Sequence, residues 1–190
     1  MSATVGFPPP GSGPLTVRDL EAVPEDGRRY ELIDGMLVVS PVQGTLHQAM
    51  VVKLSAQLLA ACPSDLVVMA APFAVHDGDD VELQPDVLVG RYADFTAKDL
   101  PKPPVLTVEI LSPSTALMDL NTKKAVYERL GVPSYWIIDP QQIRLTVYEL
   151  DADDRYAEVA SVAGADSYDA VRPFPVRIVP VDLLGRFAED

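Results

Sequence analysis

One run, Pro104-Val105-Leu106-Thr107-Val108-Glu109-Ile110-Leu111, is apolar at nearly every position and carries a single ionisable side chain near its end. Apolar character at both odd and even positions predicts a strand buried on both faces, the kind found in the centre of a partly parallel sheet. Upstream, Gln84-Pro85-Asp86-Val87-Leu88-Val89 is a second short apolar strand that opens with an acid, and downstream Tyr135-Trp136-Ile137-Ile138-Asp139 is a third. Between the last two, Ser112-Pro113-Ser114-Thr115 breaks the chain and offers capping hydroxyls, so a helix is predicted over 117–130, stopped by Gly131 and Pro133. Strand, crossover helix and strand form a βαβ-like unit, which favours an α/β fold with a mixed sheet and helices packed on it.

The rest of the pattern fills in around this unit. Residues 15–20 predict a short helix limited by Pro24. Two apolar-rich runs, 29–33 and 36–40, flank Asp34-Gly35, a strong hairpin signal because Gly accepts the positive φ of a tight turn. Leu46, Met50, Leu54, Leu58 and Ala61 recur at helical spacing over 45–61, ahead of Pro63. Residues 66–76 read as one strand, 81–83 as another, and 91–104 as a proline-punctuated loop. Strands over 143–150 and 156–162 follow, and the tail, with Pro173, Pro175 and Pro180, reads as irregular until a short helix at 181–187. No internal repeat is visible.

At 190 residues and 48% apolar content the chain suits a single domain over 15–190, behind a Pro- and Gly-rich flexible leader over 1–14. The leader lacks the basic start and apolar centre of a signal peptide, and no run reaches membrane-spanning length, so no membrane association is expected. A single cysteine, Cys62, excludes an internal disulfide and a thiolate zinc cluster, which favours a cytoplasmic location. A formal net charge of -13 argues against broad electrostatic adhesion to nucleic acid, although bound divalent ions can reverse the sign within one cleft.

Neighbouring strands lie about 4.8 Å apart, so acids at the ends of two adjacent strands can approach closely. Two such charges about 4 Å apart repel by roughly 4 kcal/mol at an effective dielectric of 20, so either one carboxyl keeps its proton or a cation sits between them. Magnesium suits the second case, using one or two carboxylates with waters and a substrate phosphate. Asp86 and Glu109 are the expected ligands, with the Ile110 carbonyl as a third. Asp119, Lys123 and Tyr127 are spaced four apart on the predicted helix and share one face, so Lys123 can bring a cation to the carboxylates. Together these residues describe metal-assisted phosphodiester hydrolysis.

Pro85-Asp86-Val87, Val108-Glu109-Ile110-Leu111-Ser112-Pro113-Ser114-Thr115, Asp119 followed by Lys123 and Tyr127, and Tyr135-Trp136-Ile137-Ile138-Asp139-Pro140 resemble the Uma-two family of restriction-endonuclease-like proteins. That family belongs to the PD-(D/E)XK nuclease superfamily, and the likeness runs from Tyr30-Glu31-Leu32-Ile33-Asp34-Gly35 to about Leu150. It implies a restriction-endonuclease-like core with an added N-terminal hairpin and nuclease chemistry dependent on Mg²⁺ or Mn²⁺. DNA is the implied substrate, and two strands to cut suggest a homodimer. By the same resemblance Asp86 and Glu109 match the metal-binding acids. The superfamily's lysine usually stands two places after the second acid, where this chain has Leu111; the resemblance points instead to Lys123 on the following helix, with Lys124, about 100° round it, as the substitute. Glu31 and His47 also fit the family pattern.

Each residue has a plainer account. Asp86 can cap a strand at the surface, and Asp119 with Lys123 can form an exposed i,i+4 pair contributing about 0.3 to 0.5 kcal/mol. Glu31 can be a cross-strand polar partner, His47 an ordinary helix N-terminal residue, and Tyr127 a cover for the sheet. The corresponding rival function is a non-catalytic binding or regulatory protein that keeps the nuclease fold; a hydrolase of small phosphate esters is a third.

Overall fold

The apolar run around Glu109 forms the strand Leu106–Ile110, buried at all five positions, in the interior of a six-stranded sheet. The structure, a computed structural model, describes residues 13–23 and 26–188. The expected leader lies outside the described residues apart from Gly13 and Pro14, and so does Pro24. In chain order the strands are β1 (Arg29–Ile33), β2 (Met36–Ser40), β3 (Leu66–Ala70), β4 (Ala74–Asp77), β5 (Val81–Leu83), β6 (Val87–Arg91), β7 (Asp99–Leu100), β8 (Leu106–Ile110), β9 (Ser134–Asp139), β10 (Arg144–Leu150), β11 (Tyr156–Ala163), β12 (Tyr168–Ala170) and β13 (Val176–Ile178). The helices are α1 (Val17–Leu20), α2 (Thr45–Ala61) and α3 (Lys124–Arg129).

The larger sheet has the order β11-β10-β9-β8-β6-β3. Its one parallel pair is β8 with β9, the two strands joined by the segment that carries α3, and its other pairs are antiparallel. The chain therefore has the mixed α/β architecture expected of it. Alternation along β8 sets the layers. Leu106, Val108 and Ile110 join Met50, Leu54 and Leu58 of α2 in the main core, together with Phe174 and Ile178 from the tail. Thr107 and Glu109 face the opposite way. On that side lies the second sheet, order β2-β1-β5-β4-β7, whose Ile33, Val81 and Leu83 pack with Tyr127, Tyr135 and Ile137.

The β1–β2 hairpin forms as expected, with positive φ at both Asp34 (50°) and Gly35 (73°), and it is stitched into the second sheet through β1 and β5. Elsewhere the pattern misled. Residues 66–76 are two strands in different sheets, because the chain leaves the larger sheet at Ala71-Pro72, where proline has no N–H for a ladder, and enters the smaller one at Ala74. The loop over 91–104 contains β7, whose Leu100 is fully buried beside Val75 and Leu88. The tail is not irregular: β12 and β13 pair across Pro173 and Pro175, and Tyr168 meets Trp136 edge-on at 5.9 Å. The helix expected at 181–187 is a pair of 3₁₀ turns, Pro180–Leu183 and Gly185–Ala188.

The crossover helix also departs from expectation. Met118–Lys123 is a π-helical segment, and regular α-helix resumes only at Lys124. Such wide turns are rare and cluster at functional sites. The Tyr135 hydroxyl donates to the Asp119 carbonyl at 2.8 Å, and the Asn121 side chain to the Leu117 carbonyl at 2.9 Å, so side chains supply bonds to the segment's backbone.

Gly90 in β6 allows the loop carrying β7 to close over the sheet, since a Cβ there would meet the Phe95 ring at 2.8 Å and Leu100 at 3.0 Å. Gly90→Ala is expected to lower stability by roughly 1 to 3 kcal/mol through overpacking, read as a lower denaturant midpoint at unchanged slope.

Candidate functional site

Five ionisable side chains lie in the interior between the two sheets and the crossover segment: Glu31, Asp86, Glu109, Asp119 and Lys123, none more than 3% exposed. Their burial follows from the strands that carry them. Val87 pairs with Val108 in the β6–β8 ladder, so one step further Asp86 and Glu109 stand at the same end of neighbouring strands, on the same face. Arg29 and Glu31 are two apart on β1 and share its inward face, which lays both across that end. The π-helical segment brings Asp119 and Lys123 in from the third side.

The groups form two connected clusters. Lys123 Nζ lies 2.9 Å from Glu31 Oε1, 3.2 Å from Glu109 Oε1 and 3.6 Å from Asp119 Oδ1. Tyr127 donates its hydroxyl to Glu109 Oε1 at 2.9 Å, and the Gln84 amide donates to Glu31 Oε1 at 2.9 Å. In the second cluster Asp86 Oδ1 accepts from Arg29 Nη2 at 2.8 Å, while Oδ2 lies 2.9 Å from His47 Nε2 and accepts the Ile110 N–H at 2.8 Å. Ile110 thus contributes its amide to the site. Lys124 turns elsewhere, its ammonium 3.6 Å above the Tyr148 ring centre.

Four carboxylates here face two permanent cations, Lys123 and Arg29, and the imbalance is resolved unevenly. Burial pushes Glu109 well above the ordinary carboxylate range, and Asp119, Asp86 and Glu31 add to the effect, which Lys123 offsets only in part. Burial likewise raises Asp119. Burial also opposes ionisation of Asp86, yet the His47 bond, the Arg29 charge and the Ile110 N–H outweigh it and hold the carboxyl below its usual value. For Lys123, burial disfavours the charge, but Glu109, Glu31 and Asp119 more than compensate, so it stays an ammonium.

Among the described residues no three His, Cys, Asp or Glu side chains are grouped as a ready set of metal ligands. The donors nevertheless fit a hard dication that takes one or two carboxylates and completes its shell with water and substrate oxygens. Asp86 and Glu109 could hold it. Glu31 Oε2 is buried with no hydrogen-bond partner, an orphaned acceptor of the kind a cation or its waters would satisfy. Two depressions flank the site: one of about 550 Å³ reaches Asp86 and Arg29, and another of about 410 Å³ borders His47 and Leu111.

Of the residues singled out from the sequence, Glu109, Asp119, Lys123, Tyr127 and Glu31 meet in one cluster, and Asp86, His47 and Ile110 meet in the other. The surface pairing available to Asp119 and Lys123 is excluded by their burial, as is a solvent-exposed cap at Asp86. Sequence reasoning missed Arg29. The available signal was its position two residues before Glu31 in a strand, which assigns both side chains to one face.

The chain matches the family described as "Putative restriction endonuclease", Uma2, over residues 17–182. Among solved structures it is similar to one described as "a putative nuclease belonging to DUF820" from Anabaena variabilis, at 19% identity and a TM-score of 0.71, covering 90% of this chain and 98% of that one. No curated protein matches. The family match spans most of the sequence and the likeness to a solved structure extends over nearly the whole fold, so the chain belongs to the Uma2 family and has its nuclease fold.

Proposed function

We propose that this protein is a cytoplasmic nuclease that hydrolyses phosphodiester bonds of DNA with Mg²⁺ or Mn²⁺, acting on duplexes as a homodimer. The observation that carries this reading is the buried oxygen cluster at the ends of β6 and β8, over-supplied with carboxylates and met by the Lys123 ammonium, in a chain of a family described as "Putative restriction endonuclease". A bound dication supplies Lewis acidity at the phosphate and makes water a better nucleophile. Asp86 and Glu109 would hold it. His47, Arg29 and the Ile110 N–H keep Asp86 ionised and oriented. Tyr127 fixes Glu109 Oε1. Lys123, which stays protonated, is a source of positive charge for the phosphoryl oxygens as they gain negative charge, and not a base.

The alternative, a protein of nuclease fold that only binds or regulates, is favoured by one feature: Asp86 and Glu109 already have protein cations beside them, Arg29 and Lys123 respectively. The two separate on cleavage. Purified protein is expected to cut labelled DNA in Mn²⁺ or Mg²⁺ and not in chelator, with Asp86→Ala and Glu109→Gln each lowering the rate by at least about a hundredfold. Absence of metal-dependent cleavage across duplex, single-stranded and branched DNA, or cleavage indifferent to Asp86→Ala, would reject the nuclease reading; turnover of a small phosphodiester alone would redirect it to small esters.

Stability gives an independent check on Lys123. Lys123→Met leaves Glu31, Glu109 and Asp119 without their shared cation and is expected to cost about 3 to 5 kcal/mol near pH 7.5. Glu109 and Asp119 have folded-state values above their unfolded ones, so the folded state binds the extra protons and loses relative stability as pH rises above the ordinary carboxylate range. Removing Lys123 enlarges that effect. The deficit of the variant should therefore shrink as pH falls from about 8 towards 5, measured by urea unfolding at each pH. A deficit independent of pH would assign Lys123 a packing role alone.

A further inference from the structure

One cation beside the carboxylates both holds Asp86 and borders open space. Arg29 spans two partners from β1, its Nη1 donating to the Gln84 carbonyl at 3.1 Å and its Nη2 lying 2.8 Å from Asp86 Oδ1. Its side chain is 14% exposed, and with Arg28, Gln43, Gln48 and Gln84 it lines the cavity of about 550 Å³ that reaches Asp86, where Glu82 is the one other acid among the described residues. Guanidinium and amide donors together are the chemistry that receives phosphate and sugar oxygens. They stand out in a chain of net charge -13, which otherwise repels a polyanion.

The guanidinium also occupies an oxygen of the carboxylate expected to hold the metal ion. A guanidinium and a dication on one carboxylate repel each other. Arg29 and a dication therefore compete for Asp86, and the guanidinium, once displaced, has the adjoining cavity to turn into. We propose that Arg29 is the phosphate-binding residue of this site: its guanidinium, which rests on Asp86 at the edge of the cavity, turns to a backbone phosphate of the substrate when Asp86 is engaged by a dication. This rests on the metal-dependent reading above. It makes metal and nucleic acid bind with positive, reciprocal coupling, since each favours the same displaced position of Arg29.

The test uses the full chain, Arg29→Gln and Arg29→Lys, with Mn²⁺ titrated calorimetrically and a short phosphorothioate duplex titrated over a range of salt, with and without Mn²⁺. Arg29→Gln should bind Mn²⁺ roughly five- to tenfold more tightly than wild type, because the competing counterion is gone. In Mn²⁺ its duplex affinity should fall, and the slope of log affinity against log salt should lessen by about 0.9, the signature of one lost phosphate contact. Without Mn²⁺ the slopes should agree. Arg29→Lys keeps the charge but cannot bridge Gln84 and Asp86 together, so it should shift both readouts in the same directions by less, and it carries the test if the glutamine variant does not fold. Wild type that binds Mn²⁺ with an affinity neither substitution improves, or equal salt slopes in Mn²⁺, would overturn the role of Arg29 and leave the nuclease reading standing. Wild type that binds no Mn²⁺ would remove both.

Discussion

Ionised carboxylates in an apolar interior are stable only where compensating charge is brought to them, and this requirement shapes the whole junction between the two sheets. Glu109 sits in a strand buried at every position. Lys123 meets it from the crossover segment and Tyr127 from the first turns of α3, while Glu31 approaches the same ammonium from β1. Three separate pieces of chain are thereby committed to one point. The hairpin that supplies β1 is thus part of the site, with Arg29 serving one cluster and Glu31 the other.

The two carboxylates at the strand ends are not equivalent, although the strands place them symmetrically. Asp86 has three donors, one of them a guanidinium, and is held ionised. Glu109 faces three other acids with a single ammonium among them, and burial raises its proton affinity well above the ordinary carboxylate range. Two acids on adjacent strands are thus tuned apart by their neighbours and not by their place in the sheet.

The sequence carried much of this in its alternation. The apolar runs at 84–89, 104–111 and 135–139 appear as β6, β8 and β9, and the Asp34-Gly35 turn and the helix over 45–61 lie where their turn chemistry and spacing put them. Tertiary context decided what was not legible. Residues 66–76 are strand-like on either side of Ala71-Pro72, and the proline signals a break in the ladder without saying that the chain changes sheet there. β7 and the β12–β13 pair are two or three residues long and gain their burial from partners distant in sequence, such as Val75 for Leu100 and Trp136 for Tyr168. Helical spacing found Lys123 without finding the π-helical segment, because residues four apart share a face in either geometry. Arg29 left a weaker signal: it shares a strand face with Glu31, but an arginine at the start of a strand is ordinarily solvated, and only the approach of Asp86 makes it a half-buried partner.

The position of Lys123 shows how one electrostatic need can be met from a different element. In the PD-(D/E)XK pattern a lysine two residues beyond the second acid shares its strand face, so its ammonium reaches the neighbouring carboxylate with no help from tertiary structure. Here that place belongs to Leu111, which packs against the cluster formed by Tyr127, Tyr135 and Ile137. An ammonium from the crossover segment must instead cross to the sheet, and the segment is held for this by the Tyr135 hydroxyl on the Asp119 carbonyl and by Lys123 contacting acids on β1 and β8. An ammonium on the crossover segment is subject to a tertiary constraint where one on the strand would be subject only to a local one. It ties the charge at the site to the docking of the π-helical segment against β9, and any change that loosens Tyr135 acts on Lys123 without touching it.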